Sequence, residues 1–378
     1  MSSFCSWISG SGRTVPIRIE KEMPIMNANF IDGFSRKARL FFLVLGVLWA
    51  CPLRPCQAKD KLDIVTTTTN LESIAKAVGG DHVNVSAIST GKEDPHSIAA
   101  KPSYMLKAKK ADLWIRIGLE LEIGYEGLIL EGSRNPKIRV GSPGHLDASE
   151  GIAPLEVPTG KVSRTMGDVH PLGNPHHWLD PYNGRIIARN ICRRLKQLDS
   201  EHAGDYDRNL AAFVLNVDNA MFGIRLVEAI GGEKLWKMQS DGTLDAFLKD
   251  QTLSLDGWLA KLKPFERAKI VTYHRSWPYF ARRFHLDIVA ELEPKPGIPP
   301  GPGHILEVIN TMKSDKVGII LTEPFYNRAD ADAVAEKTGA KVVVAATSVN
   351  GQEGADSYTT MIDNIVTRLG SALSEVSK

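Results

Sequence analysis

Three histidines far apart in the chain, His96, His176 and His274, carry the first chemical signal. Their local strings are GKEDPHS, GNPHHWLDP and IVTYHRSWPYF, and each lies in a loop where an apolar strand-like run has just ended or a helix is about to start. Histidines carried by separate α/β units can meet in the crevice at the strand ends, where open α/β sheets bind ligands. Neutral imidazoles gathered around one point suit a borderline-soft divalent cation, zinc above all. A carboxylate would complete four-coordination. Glu323 ends the run Val317–Thr322 and is expected to face the same crevice, with Glu291 and Glu293 at the end of the preceding strand as competitors.

Each residue also has a plainer reading. His96 alone is a solvated loop histidine, although Pro95 fixes the turn and Asp94 can orient the imidazole through its other ring nitrogen. His176 and His177 are adjacent and cannot both point easily into one site, so one is a ligand and the other a neighbour or surface group. Asp180-Pro181 starts a helix. His170 is a further nearby imidazole, and His304 opens a helix on the cleft side. His82, His145, His202 and His285 lack such context and read as surface. Glu323 alone is a helix-start or loop carboxylate.

Strand-like runs and helical periods alternate along the chain, which calls for parallel sheets covered on both faces. Strands are expected at Leu62–Thr68, Val83–Ile88, Leu113–Ile117 and Lys137–Val140. Helices are expected at Leu71–Val78, Pro102–Lys110 and near Leu121–Leu130, with a long loop from Gly141 to Pro175. After the helix Asn183–Leu198, apolar residues step by three and four from Tyr206 to Val227, predicting one helix from about His202 to Ile230. At 1.5 Å per residue such a helix runs roughly 42 Å, long enough to act as a strut between two lobes. A less regular segment, Glu233–Lys263, follows. Strands then resume at Lys269–Tyr273, Ile288–Leu292, Val317–Thr322 and Lys341–Ala345, with helices at Trp277–Phe284, His304–Lys313, Ala329–Thr338 and Tyr358–Leu373. The loop PKPGIPPGPG is extended and stiff.

With 378 residues there is room for two cores, and 46 basic against 44 acidic residues leave a net charge of +2, which suggests neither nucleic acid nor an anionic membrane surface as partner. Arg36, Lys37 and Arg39 precede the apolar run Leu40 to Ala50, a signal-peptide pattern too short to span a bilayer comfortably. Cleavage after Ala58 is the first choice and a lipid-modified Cys51 the alternative; Met23 or Met26 is a candidate initiator. Cleavage there leaves only Cys192, a small buried hydrophobe in a helix, and no disulfide framework.

Four segments together, DPHSIAAKPSYMLKAKKADLWIRIGLELE, NPHHWLDP, VTYHRSWPYFARRF and LTEPFYNRADADAVAEKTGAKVVV, resemble successive blocks of the metal-binding proteins of zinc and manganese ABC importers. The resemblance spans most of residues 60–378. It implies two lobes, each a four-stranded parallel sheet with flanking helices, joined by a single long linker helix, with the metal in the interlobe cleft. The divisions are then 1–58, signal peptide and N-terminal extension; 59–200, N-terminal lobe; 201–231, linker helix; and 232–378, C-terminal lobe. The family's ligand histidines fall on His96, His176 and His274. Manganese members tend to have Glu at the third position, so His274 favours Zn²⁺ over Mn²⁺. Where the family often has an Asp after the last strand, this chain has Ala345-Ala346-Thr347-Ser348, so Glu323, His304, His170 or water is left for the fourth position.

The resemblance implies a monomeric periplasmic binding protein that delivers a divalent ion to a membrane permease and its ATPase. Other readings are a binding protein for Mn²⁺, a metal chelate or an adhesion partner, and a zinc hydrolase. The chain carries no HExxH helix, GxSxG elbow, Walker or GxGxxG signature to support the last.

Overall fold

Among the described residues, eight short strands fall into two sheets of identical plan. The computed structural model describes residues 61–160 and 169–377. The expected signal segment with Cys51 and the proposed cleavage site lies outside the described residues. Strands β1 (Leu62–Thr66), β2 (Val83–Ala87), β3 (Leu113–Arg116) and β4 (His145–Asp147) form a sheet of order β2-β1-β3-β4. Strands β5 (Lys269–Thr272), β6 (Asp287–Glu291), β7 (Ile319–Thr322) and β8 (Lys341–Val344) repeat that order as β6-β5-β7-β8, and every pairing is parallel. The connections therefore leave the first strand of each set in one direction and the third in the other. This opens a crevice at the carboxyl ends of β1 and β3, and another at those of β5 and β7.

In chain order the helices are α1 (Thr69–Gly79), α2 (Pro102–Lys110), α3 (Glu126–Ser133), α4 (Pro181–Leu198), α5 (Ala203–Phe222), α6 (Ile224–Ile230), α7 (Gly232–Ser240), α8 (Leu244–Asp250), α9 (Gly257–Leu262), α10 (Pro278–Arg283), α11 (Pro302–Asp315), α12 (Arg328–Thr338) and α13 (Tyr358–Val376). Their ends follow local chemistry. The Thr68 hydroxyl accepts from the amide of Leu71 to start α1, and Asp180 with Pro181 at the first position starts α4.

The central strands β1, β3, β5 and β7 are buried on both faces over most of their length, the edge strands less so. Ile64, Ile115, Ile270 and Leu321 share one continuous core with α4, α5 and α13, whereas Val65 and Trp114 pack outward in one lobe and Val271 and Ile320 in the other. The alternate faces of both sheets thus feed one central core. The two lobes are not separate balls on a string.

Several expectations are corrected. The helix expected to run unbroken over 202–230 bends by 115° at Gly223 between α5 and α6. Gly223 has φ +91°, and a Cβ there would meet Cβ of Asp256 at 2.5 Å; the apolar period continues across the break, so the pattern conceals it. Segment 233–263 is helical, divided among α7, α8 and α9, each too short to display a clear period. The strand expected at Lys137–Val140 is a 3₁₀ turn, Pro136–Ile138, capped by Asn135, and the fourth strand is the polar His145–Asp147, defined by pairing with β3. The helix expected near Leu121 starts only at Glu126, because Leu119 and Glu120 take positive φ in a preceding turn.

Candidate metal centre

The topology brings His96, His176 and His274 together. One nitrogen from each lies within 4.8 Å of the other two. Ring centroids are 5.0 Å apart for His96–His176, 5.4 Å for His96–His274 and 5.3 Å for His176–His274. His274 leaves the end of β5 at the switch point of the second sheet. His96 comes from the loop after β2, and His176 from the chain that enters α4. The rings line a cavity of about 40 Å³, on the scale of one or two waters. An organic ligand needs several hundred Å³.

Each Nδ1 is occupied by a fixed partner. Asp94 Oδ1 lies 2.8 Å from Nδ1 of His96, Asn174 Oδ1 3.0 Å from that of His176, and Glu293 Oε2 2.5 Å from that of His274. Such partners hold the proton on Nδ1 and leave Nε2 as the lone-pair donor. For His176 the tautomer follows from the network. The Asn174 amide donates to the Arg275 carbonyl at 2.7 Å and to Glu156 at 2.9 Å, so its oxygen must face His176, accepting from both the ring and the backbone N–H. Nε2 of His96 is buried without a protein partner. Burial, and then the neighbouring His96 and His274, hold the pKa of His176 far below the ordinary value, keeping it neutral and able to coordinate.

Glu323 follows β7 at the other side of the same switch point. It is fully buried, and neither carboxylate oxygen has a well-formed hydrogen bond. Burial pushes its pKa up to about 8, against a partial offset from the nearby Ser276, while Asp94 and Glu293 push further upward. It is not part of the compact trio of imidazole nitrogens and does not line the cavity they share. His170 lines the cavity with its centroid 5.2 Å from that of His96, and burial, helped by His96 and His274, lowers it to about 3. His304 is not part of the trio, and its Nε2 lies 2.9 Å from the carbonyl of Glu291. Glu291 is partly buried, and Glu293 supports His274 from behind.

Other histidines depart from expectation. His177 is wholly buried with Nε2 3.0 Å from the Ile117 carbonyl, tying the loop that carries His176 to the end of β3. His145 is buried against Glu126 rather than on the surface, and His82 stacks on His202 at 3.8 Å, both partly buried. His285 is exposed and Cys192 buried, as expected. The loop 345–348 is given to joining the lobes: the Thr347 carbonyl accepts from Asn70 at 3.1 Å and from Trp178 at 2.8 Å, and Val349 donates to Asn70 at 2.9 Å. Asn174 is the functional residue that sequence reasoning missed. The signal was present, because Asn174-Pro175-His176 repeats the pattern of Asp94-Pro95-His96.

Comparison with known proteins agrees with this geometry. The family model described as zinc-uptake complex component A, periplasmic, matches residues 64–222 and 244–372. The iron-binding protein YfeA of Yersinia pestis is 26% identical over 329 residues, 85% of this chain and 90% of that protein. The manganese ABC transporter substrate-binding lipoprotein PsaA of Streptococcus pneumoniae is 26% identical over 329 residues, 85% of this chain and 93% of that protein. A crystal structure of ZnuA has the same fold, with a TM-score of 0.62 at 23% identity, covering 83% of this chain and 99% of that one. YfeA is by name a binding protein and PsaA the substrate-binding part of an ABC transporter, so the hydrolase reading is set aside and the chain is not an enzyme. A match over most of its length, with the fold and cleft that go with it, places the chain in the family of the periplasmic zinc-uptake complex component A, among the metal-capturing proteins of ABC importers.

Proposed function

We propose that this protein captures Zn²⁺ outside the cytoplasmic membrane and delivers it, as an exported monomer, to an ABC permease and its ATPase. His96, His176 and His274 bind the ion through Nε2, and Glu323 supplies the fourth ligand. The observation that carries the proposal is the convergence of three imidazoles whose Nδ1 atoms are all engaged by fixed partners. A tetrahedral zinc ion with bonds of about 2.0–2.1 Å requires only a modest inward shift of such a set. The names of relatives span iron, manganese and zinc, so the family alone does not choose the metal. Three imidazoles favour zinc, because manganese prefers sites richer in oxygen. The small volume beside the rings suits a bare ion better than a metal chelate. Export rests on the basic-apolar N-terminal pattern.

The test is titration of metal-stripped protein with Zn²⁺ against a chromophoric chelator, with Mn²⁺ as competitor. Roughly nanomolar or tighter zinc binding is expected, weakened at least about 100-fold by His176→Ala, with Mn²⁺ a poor competitor. Micromolar binding indifferent to that substitution, or displacement of zinc by equimolar Mn²⁺, overturns the proposal.

A further inference from the structure

Two of the three histidines are tied to each other by the protein itself. The chain leaving His274 presents Arg275, Tyr279 and Arg283 at a spacing of four, and all three grip the loop that carries His176. The Arg275 carbonyl accepts from Asn174 at 2.7 Å, while its guanidinium holds Glu156, which accepts from the same amide at 2.9 Å. The buried Tyr279 hydroxyl donates to the Asn174 carbonyl and accepts from the Leu155 amide, both at 2.9 Å. Arg283 makes a two-pronged ion pair with Asp180, which has no exposed surface, at 2.7 and 2.8 Å. Loop 174–180 is thereby fixed at its start and its end by the segment following the third ligand. His96 has a different kind of support, its Nδ1 being held by Asp94 two residues away in its own loop.

Resting on the ligand assignment proposed above, we infer that Arg275, Tyr279 and Arg283 are positioning residues for metal binding. They lock His176 and His274 into a preassembled two-histidine half-site, which His96 completes. Through the Asn174 side-chain amide, the Arg275 carbonyl and the Glu156 that Arg275 holds also set the tautomer of His176. None of the three needs to touch the ion. Partners that orient a ligand in this way typically govern about 10- to 100-fold in metal affinity.

The experiment compares Tyr279→Phe with Tyr206→Phe in the full chain. Both remove a buried hydroxyl, but that of Tyr206 bonds Asp199 at the far end of α4, roughly 27 Å along an 18-residue helix. Expected is a roughly 10- to 100-fold loss of Zn²⁺ affinity and altered Co²⁺ visible absorption for Tyr279→Phe, with Tyr206→Phe within about twofold of wild type. Arg283→Lys, which keeps the charge but not the two-pronged geometry, serves as a second variant with the same expectation. Unchanged affinity or unchanged Co²⁺ bands in the two site-side variants, or an equal loss in Tyr206→Phe, overturns the inference. If His176→Ala abolishes binding while Tyr279→Phe does not, only the positioning role fails; if His176→Ala is also without effect, the ligand assignment itself fails.

Discussion

Replacing Glu122 with glutamine should flatten the pH dependence of folding stability, by an amount set by where this carboxyl sits. Glu122 is 1% exposed beneath the cleft, and Oε1 accepts from the Thr67 hydroxyl and the Ile117 amide at 2.7 Å each, Oε2 from the Gly118 amide at 3.2 Å. Burial, and then the charge of Glu126, nevertheless raise its pKa from 4.5 to about 7, outweighing the three donors that favour the anion. Because the folded pKa lies above the unfolded one, the folded state binds a proton that the unfolded chain gives up between pH 4.5 and 7. The associated stability is fully present below pH 4.5 and is lost as pH rises through 7. At 1.36 kcal/mol per pKa unit the total is about 3 kcal/mol. Other carboxyl groups titrate in the same range, so the difference between wild type and Glu122→Gln isolates this group. Urea unfolding of the metal-stripped proteins from pH 4 to 8.5 should show the variant gaining about 3 kcal/mol on wild type across the range. A constant offset reflects the amide facing the Gly118 N–H. Parallel curves would refute the reasoning and mean that the three donors win over burial.

Asp180→Ala strands the Arg283 guanidinium, only 12% exposed, without its carboxylate; a loss of about 3–5 kcal/mol is expected in the same unfolding assay, and a loss below about 1 kcal/mol would count against the pair as an interlobe tie. Gly91→Ala should cost more than about 2 kcal/mol, since φ is +82° and a Cβ would lie 2.1 Å from the Val349 carbonyl. Gly141→Ala, with φ +85° and open space around it, should cost only about 1 kcal/mol of backbone strain. Comparable melting temperatures for the two glycine variants would show that the Gly91–Val349 approach is not tight.

Much of the architecture was legible because central strands buried on both faces leave short apolar runs, as in Leu113–Ile115 and Ile319–Leu321, and helices leave a period. What escaped was carried by pairing rather than pattern. His145–Asp147 is a strand only because Trp114–Arg116 lies beside it, and the bend at Gly223 is set by the approach of Asp256, more than thirty residues away in the chain.

The division within the site is similar. Local sequence determined which residues have coordinating chemistry and placed His274 and Glu323 at strand ends, where an open sheet presents them to a crevice. It also held the orienting partners of two imidazoles, since Asp94 and Asn174 each precede their histidine by two residues through a proline. Only the tertiary structure decided that rings 80 and 98 residues apart share one small cavity, that Glu293 belongs behind His274, and that His304 sits against the Glu291 carbonyl. The physical reason is that convergence depends on the relative placement of two sheets, fixed by a shared core and by bonds such as Asn70–Thr347 and Asp180–Arg283, whose partners are distant in sequence and mark no local pattern.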